Sequence, residues 1–228
     1  MAQPPPVPLP ARLRALAARG PRSLAQTLAS VVDDWRLDLS LGVETREKVE
    51  LGHIGPVLGA HADHGRAYHP TRARHLRRLF DALDLPPGLG LLDYGSGKGL
   101  VLFVAAERPF ARLTGVEYAH ALHAAAEANL THVRRRRPLA PPIHLVHADA
   151  ATFAVGPEHH VFYLFNPFDE VVLDAVLEQI GESLRRWPRP AWLVLNKTDA
   201  AGKLPAGVAW TRGELRYGNA EFVWYRGG

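Results

Sequence analysis

Apolar and polar positions follow two rhythms along this chain, and the change falls near residue 89. Before it, apolar residues recur at helical spacing. Leu24, Leu28, Val31 or Val32, and Trp35 follow a Ser23 cap, and Leu76, Leu79, Phe80 and Leu83 follow Thr71. This predicts a helical stretch over 11–35 in two pieces, broken at Gly20-Pro21 and packed on the main domain, and a further helix capped by Thr71. After residue 89, short apolar runs alternate with amphipathic stretches. Leu89–Tyr94, Ala111–Glu117, Ile143–Val146, Val161–Phe165 and Ala191–Asn196 read as strands, with helices at Leu100–Glu107, Ala119–Arg134 and Val171–Trp187. Residues 208–216 and 220–226 read as two more strands around Tyr217-Gly218-Asn219, with no helix between them.

Strands alternating with helices build a parallel sheet covered on both faces. The last two strands, lacking a crossover, should pair antiparallel at one edge. The expected fold is thus α/β: seven strands, mostly parallel, with a C-terminal antiparallel hairpin and an N-terminal helical extension. Three segments follow. Residues 1–10 (MAQPPPVPLP) are expected to be a disordered, proline-rich tail. Residues 11–70 form a helical, then irregular, extension placed to act as a lid, and 71–228 form the α/β domain. Residues 36–70 carry no clear period, and long stretches of that kind tend to be functional or disordered.

Composition narrows the chemistry. The chain has 228 residues, 47% hydrophobic and 22% charged, which suits one domain with an extension. It contains no cysteine, which excludes disulfides, a thiol nucleophile and cysteine-ligated metal. No run of about 18 apolar residues occurs, so no membrane span is expected. Met1–Pro10 lacks the charged-then-apolar order of a secretion signal, and a cytoplasmic location is expected. The net charge of +4 rests mainly on arginine, a usage that fits a GC-rich bacterial genome. Arg134 to Arg137 read either as a patch for an acidic partner or as a favourable helix C-terminus, and the second is preferred, so nucleic acid is not an expected partner. The basic face Arg12, Arg14, Arg19 and Arg22 reads likewise as a solvated helix side. His61 and His64, near His53 and His69, have no tight ligand spacing, so no metal is expected.

The most informative segment is Asp93-Tyr94-Gly95-Ser96-Gly97-Lys98-Gly99, between a strand and a helix. Glycines there let backbone approach a ligand, and the helix N-terminus offers free N–H groups. A phosphate loop would need a glycine at Leu92 and Ser or Thr at Gly99. A dinucleotide loop would need its third glycine at Leu100. What remains is D-x-G-x-G-x-G. Its acid would repel a pyrophosphate but suits a cationic ligand such as S-adenosylmethionine (SAM), with its ammonium and sulfonium. The alternative is a tight strand–helix turn without a ligand.

Two further acids follow. Glu117 ends the next strand, placed to accept from ribose hydroxyls, or else a surface charge at a strand end. Asp149 follows the third strand; in folds of this kind an acid there commonly accepts from an adenine amino group, and the alternative is that it caps a short helix at Ala150–Phe153. All three acids fall at carboxyl ends of successive strands, where open α/β sheets bind ligands.

With these motifs, residues 89–226 resemble the class I, Rossmann-like SAM-dependent methyltransferases. The resemblance implies a cofactor site of Asp93, Gly95, Ser96, Gly97, Gly99, Glu117, Tyr118, Asp149 and Ala150. Tyr68-His69-Pro70-Thr71 resembles the Y-x-P-T element of uncharacterised bacterial methyltransferases, and is similar to a pre-core element of the non-SET lysine methyltransferases. That likeness places Tyr68 and Thr71 over the methionine end of SAM; the alternative is a proline-fixed turn and N-cap. Asn166-Pro167-Phe168 is similar to the post-fourth-strand motif of amino-methylating relatives, shortened by one proline. It implies a substrate role for all three residues, with Asn166, also near the cofactor, and Tyr68 as catalytic candidates. Asp63 and His64 are further polar groups near the site, and none has motif support as a base. The expected activity is methyl transfer, leaning to an amine such as a protein lysine. A small-metabolite acceptor, a non-catalytic SAM-binding module and an NAD-dependent dehydrogenase are the alternatives, the last weakened by Leu100.

Overall fold

A computed structural model describes residues 20–47, 57, 70–136, 141–165, 170–196, 200–217 and 220–228, with backbone alone at 20–24. Helix α1 spans Gly20–Leu41. It is followed by α2 (Ala73–Leu83), β1 (Gly90–Tyr94), α3 (Leu100–Ala105), β2 (Arg112–Glu117), α4 (His120–Arg136) and β3 (Ile143–His147). Then come β4 (Val161–Phe165), α5 (Glu170–Arg186), β5 (Ala191–Asn196), β6 (Trp210–Tyr217) and β7 (Ala220–Gly227). The sheet order is β3-β2-β1-β4-β5-β7-β6. Strands β1 to β5 pair in parallel and β7 pairs antiparallel with both β5 and β6. The mixed seven-stranded sheet is the one that the sequence predicts, and the terminal hairpin occupies one edge.

Each sheet face has its own core, because the parallel strands are apolar on both sides. Leu91, Leu113, Tyr163 and Val194 pack with α2, α3 and α4 on one face. Leu92, Phe162, Leu164, Leu193 and Leu195 meet α5 on the other. Leu76, Leu79, Phe80 and Leu83 of α2 are buried, as their spacing predicts.

Helix α1 departs from prediction in length and in face. It runs on to Leu41, through residues expected to be irregular. Leu28, Val32 and Trp35, expected to pack inward, are exposed, together with Leu39. The buried side instead carries Ser30, Asp34, Leu37, Asp38 and Leu41. The reason is polar. Asp34 accepts from the Ala73 N–H (2.8 Å) and from Arg72 (2.9 Å), satisfying the start of α2. Asp38 accepts from Thr45 Oγ1 (2.8 Å) and Arg46 Nε (2.7 Å). Thr71 is therefore not the cap of α2: Arg72 is the N-cap and its side chain makes no capping bond to the helix, and Asp34 does that work across the fold. Arg136, from the basic run, donates to the Leu39 carbonyl at 2.7 Å and so closes the C-terminus of α1; Arg137 lies outside the described residues.

Candidate functional site

The glycine loop leaves β1 and folds back on β2. Gly95 and Ser96 N–H groups both donate to the Val116 carbonyl (2.9 and 3.0 Å), and Gly99 N–H donates to Ser96 O at 2.9 Å. Gly95, Gly97 and Gly99 sit at φ of 71°, 53° and 89°, where a side chain would be strained. A glycine that the motif reading passed over makes this possible. A Cβ on Gly115 would lie 2.8 Å from Ser96 Oγ and 2.7 Å from Leu102, so β2 admits the loop only with glycine there.

The two acids beside the loop are buried, Asp93 at 2% and Glu117 at 3% exposure. Glu117 receives the Gly97 N–H at 2.8 Å and the Ala119 N–H at 2.9 Å, one on each oxygen. It thus shapes the loop from the neighbouring strand. Burial pushes its carboxyl up to about 7, against the pull of those backbone bonds. Asp93 is harder to account for without a ligand. Its Oδ2 is buried with no hydrogen-bond partner. Burial, then the nearby Glu117 charge, raises its carboxyl well above the ordinary range. A buried acceptor left unpaired costs about 1–3 kcal/mol, more for a charge. A ligand bearing a cationic N–H donor would remove both costs.

The third acid keeps both of its readings. Asp149 Oδ1 accepts the Ala151 N–H at 3.0 Å and caps the short 3-10 turn Ala150–Thr152, with Ala150 buried beside it. Tyr118 follows Glu117, its phenol oxygen buried without a partner and raised by burial and by the Glu117 charge. Strand order therefore sets the acids in line, Asp149 after β3, Glu117 on β2 and Asp93 on β1. Adjacent strands lie about 4.8 Å apart, so the three strand ends span about 10 Å.

Beyond Asp93 the same sheet edge carries neutral polar groups. Thr71 Oγ1 lies 2.9 Å from the Tyr163 phenol oxygen on β4, and Asn196 Nδ2 at the end of β5 donates to Thr71 Oγ1 at 3.3 Å. Thr71 thus reaches this edge by side-chain bonds. Tyr163 and Asn196 escaped the sequence reading because they sit in apolar strands; Asn196 carried the same signal as Glu117, a polar residue closing such a strand. Tyr68, Asn166, Pro167 and Phe168, with Asp63 and His64, lie outside the described residues. Among the described residues no group of three or more His, Asp or Glu could hold a metal, and His53, His61, His64 and His69 lie outside them.

Lys98, the one cation of the loop, is engaged by the extension. Its ammonium pairs with Glu44 and lies 3.5 Å from Glu47. Asn129 on α4 donates to both the Glu44 and Lys98 carbonyls (3.1 Å each) and accepts from the Glu44 N–H at 3.2 Å. The charge that would attract a phosphate is thus neutralised inside the fold.

No family model matches the chain. A 54-residue stretch is 46% identical to the Nocamycin O-methyltransferase of Saccharothrix syringae, covering 23% of this chain and 19% of that one. The match spans about a fifth of that relative's length. Among solved structures, the inferred methyltransferase yhhF from Escherichia coli aligns with a TM-score of 0.56 at 21% identity, over 75% of this chain and 90% of that one. An RNA methyltransferase from Salinibacter ruber, solved with S-adenosylhomocysteine (SAH), aligns with a TM-score of 0.54 at 18% identity, over 69% and 92%. The fold is the Rossmann-like fold of the class I SAM-dependent methyltransferases. No helix among the described residues is long and apolar enough to cross a membrane.

Proposed function

We propose that this protein is a SAM-dependent methyltransferase. One observation carries the reading: three acids close adjacent strands around a glycine loop whose only cation is already neutralised. Asp93 takes the methionyl ammonium, Glu117 the ribose hydroxyls and Asp149 the adenine amino group, with Tyr118 and Ala150 flanking the ring. Gly95, Ser96, Gly97 and Gly99 bring the backbone close to the ligand. The methyl group, already activated by the sulfonium, then faces the β4 end, where Asn166 and Phe168 follow. The chain's task is to hold the nucleophile in line with it.

We infer an amine nitrogen as the acceptor, a protein lysine among the candidates. Asn166-Pro167-Phe168 supports this, as does the neutral edge of Thr71, Tyr163 and Asn196, which can accept N–H bonds without adding a charge. A small-metabolite acceptor is the second reading, favoured by the 54-residue likeness to Nocamycin O-methyltransferase.

Calorimetry with SAM, SAH and NAD tests the cofactor assignment: SAM and SAH should bind and NAD should not, and the reverse pattern refutes it. Methyl-labelled SAM incubated with cell extract tests the acceptor. Acid-stable label in protein supports the lysine reading, and label confined to small molecules supports the second.

A further inference from the structure

The sheet has two lateral edges, β3 and β6, and they are built differently. An open edge presents unpaired N–H and C=O groups, and proteins commonly blunt it with charge or proline. Strand β6 does so with Arg212, Glu214 and Arg216, all exposed. Strand β3 reads Ile143-His144-Leu145-Val146-His147 and carries no acid, lysine, arginine or proline. Among the described residues it pairs with β2 alone. The Leu113 N–H donates to the Pro142 carbonyl and the Ala148 N–H to the Glu117 carbonyl, so the even-numbered residues turn their backbone groups to β2. Ile143, Leu145 and His147 turn theirs outward. One of these groups, the Ile143 carbonyl, accepts from Arg134 at 3.3 Å. A groove of about 600 Å³ opens along this edge, between Leu130 and Arg134 of α4 on one side and Phe153 and His159 on the other.

Charge along the edge is self-complementary. Arg134 stands at the Ile143 end of β3, by the bond just described. Glu127 stands at the His147 end: it lies 3.6 Å from His123 Nε2, and the His123 ring stacks on His147 at 5.0 Å. Burial lowers the His123 imidazole, so Glu127 gains no full counter-charge there near neutral pH. Arg134 meets a carbonyl and, among the described residues, no carboxylate.

We propose that β3 is the contact between two copies of this chain, paired antiparallel about a two-fold axis at Leu145. In such an isologous contact residue i meets j, and j meets i. Leu145 exchanges both backbone bonds with the partner's Leu145, and Ile143 does so with the partner's His147. Arg134 leaves the Ile143 carbonyl for the partner's Glu127, and the same pair forms twice. The spacing agrees. Arg134 and Glu127 are seven residues apart on a helix, about 10.5 Å, and Ile143 and His147 are four apart on a strand, about 13 Å. Cross-strand neighbours are compatible: Leu145 meets leucine, and His144, its imidazole lowered by burial and by Arg112 and Arg134, meets valine. A strand from an unrelated chain would need only the open edge. The placing of Arg134 and Glu127 on either side of Leu145 is what singles out a second copy. Dimerisation through β3 is independent of the cofactor reading.

Sedimentation equilibrium of the full-length protein tests this. Wild type should show a concentration-dependent species of twice the chain mass. Arg134 and Glu127 are both exposed on α4, so reversing their charges should leave the fold intact. Arg134→Glu and Glu127→Arg each set like charges against one another, twice, and should weaken dimerisation about tenfold or more. The double variant restores opposite charges and should recover the dimer. Amide hydrogen exchange gives a second readout. The Leu145 and His147 N–H groups should be protected in wild type and in the double variant and exchange fast in the single variants, with β1 amides unchanged. A monomeric wild type overturns the proposal and leaves the edge to a strand of another protein. A dimer indifferent to either reversal, or not recovered in the double variant, overturns it as well. So does a dimer with unprotected Leu145 and His147 amides that yields to Trp35→Glu, which would move the contact to the exposed face of α1.

Discussion

The carboxyl edge of the parallel strands has two halves of different chemistry. From β3 to β1 it presents carboxylates, two of them buried at a cost; from β4 to β5 it presents a phenol, a hydroxyl and an amide. The charged half suits a cation that must be held, and the neutral half suits a nucleophile that must remain free to attack. A carboxylate on the β4–β5 side would compete for the ammonium and help keep an acceptor amine protonated, hence unreactive.

The contrast can be broken most sharply at Asp93. Asp93→Asn keeps the shape and removes the charge, and SAH affinity should fall about 100-fold or more by calorimetry, the loss expected for a desolvated charge-assisted bond. The ligand-free protein should not lose stability, since the substitution relieves a buried charge.

Glu117 gives the next effect, and it is readable through pH. Its folded value of about 7 stands above the ordinary 4.5 of a glutamate, so the proton is held more tightly in the folded state. Stability from this group is therefore full below about pH 4.5 and is lost as pH rises through 7, by about 3 kcal/mol in the limit. Ligand-free melting points should fall over that window, and Glu117→Gln should flatten the fall. SAH affinity should run the opposite way, rising as the carboxylate forms, by at most about tenfold per pH unit.

On the neutral half, effects should be smaller. Tyr163→Phe leaves Thr71 Oγ1 with the Asn196 amide alone, and SAH affinity should drop only about three- to tenfold. An effect on SAH as large as that of Asp93→Asn would erase the proposed division. Smallest of all, Glu44→Gln at the Lys98 pair should cost about 1 kcal/mol or less in chemical denaturation, because Glu44 is half exposed and Glu47 remains nearby.

Much of the charged half was legible in the sequence because each acid is local: it ends an apolar run and stands at a fixed distance from glycines. The neutral half was not, because its residues matter only through partners far along the chain. Thr71 looks like a helix cap until Tyr163 and Asn196 are placed beside it. Helix α1 misleads for the same reason. Leu28, Val32 and Trp35 share a face, but spacing cannot tell that Asp34 and Asp38 on the other face have partners at Ala73 and Thr45. Periodicity identifies the stripe, whereas long-range polar bonds decide which way it points.

The single carboxamide of Asn129 joins the Glu44 peptide to the Lys98 carbonyl, and so ties a segment that precedes the sheet to the turn that precedes α3. A chain cut to begin at Thr71, the expected start of the α/β domain, would lose that staple, the Lys98 counter-charges and the Asp34 oxygen at the start of α2 together. The boundary drawn by hydrophobic rhythm is thus not a mechanical seam. Shortening the chain there should loosen the glycine loop itself, and with it the setting of the Glu117 carboxylate that holds the Gly97 N–H, even though neither residue has been removed.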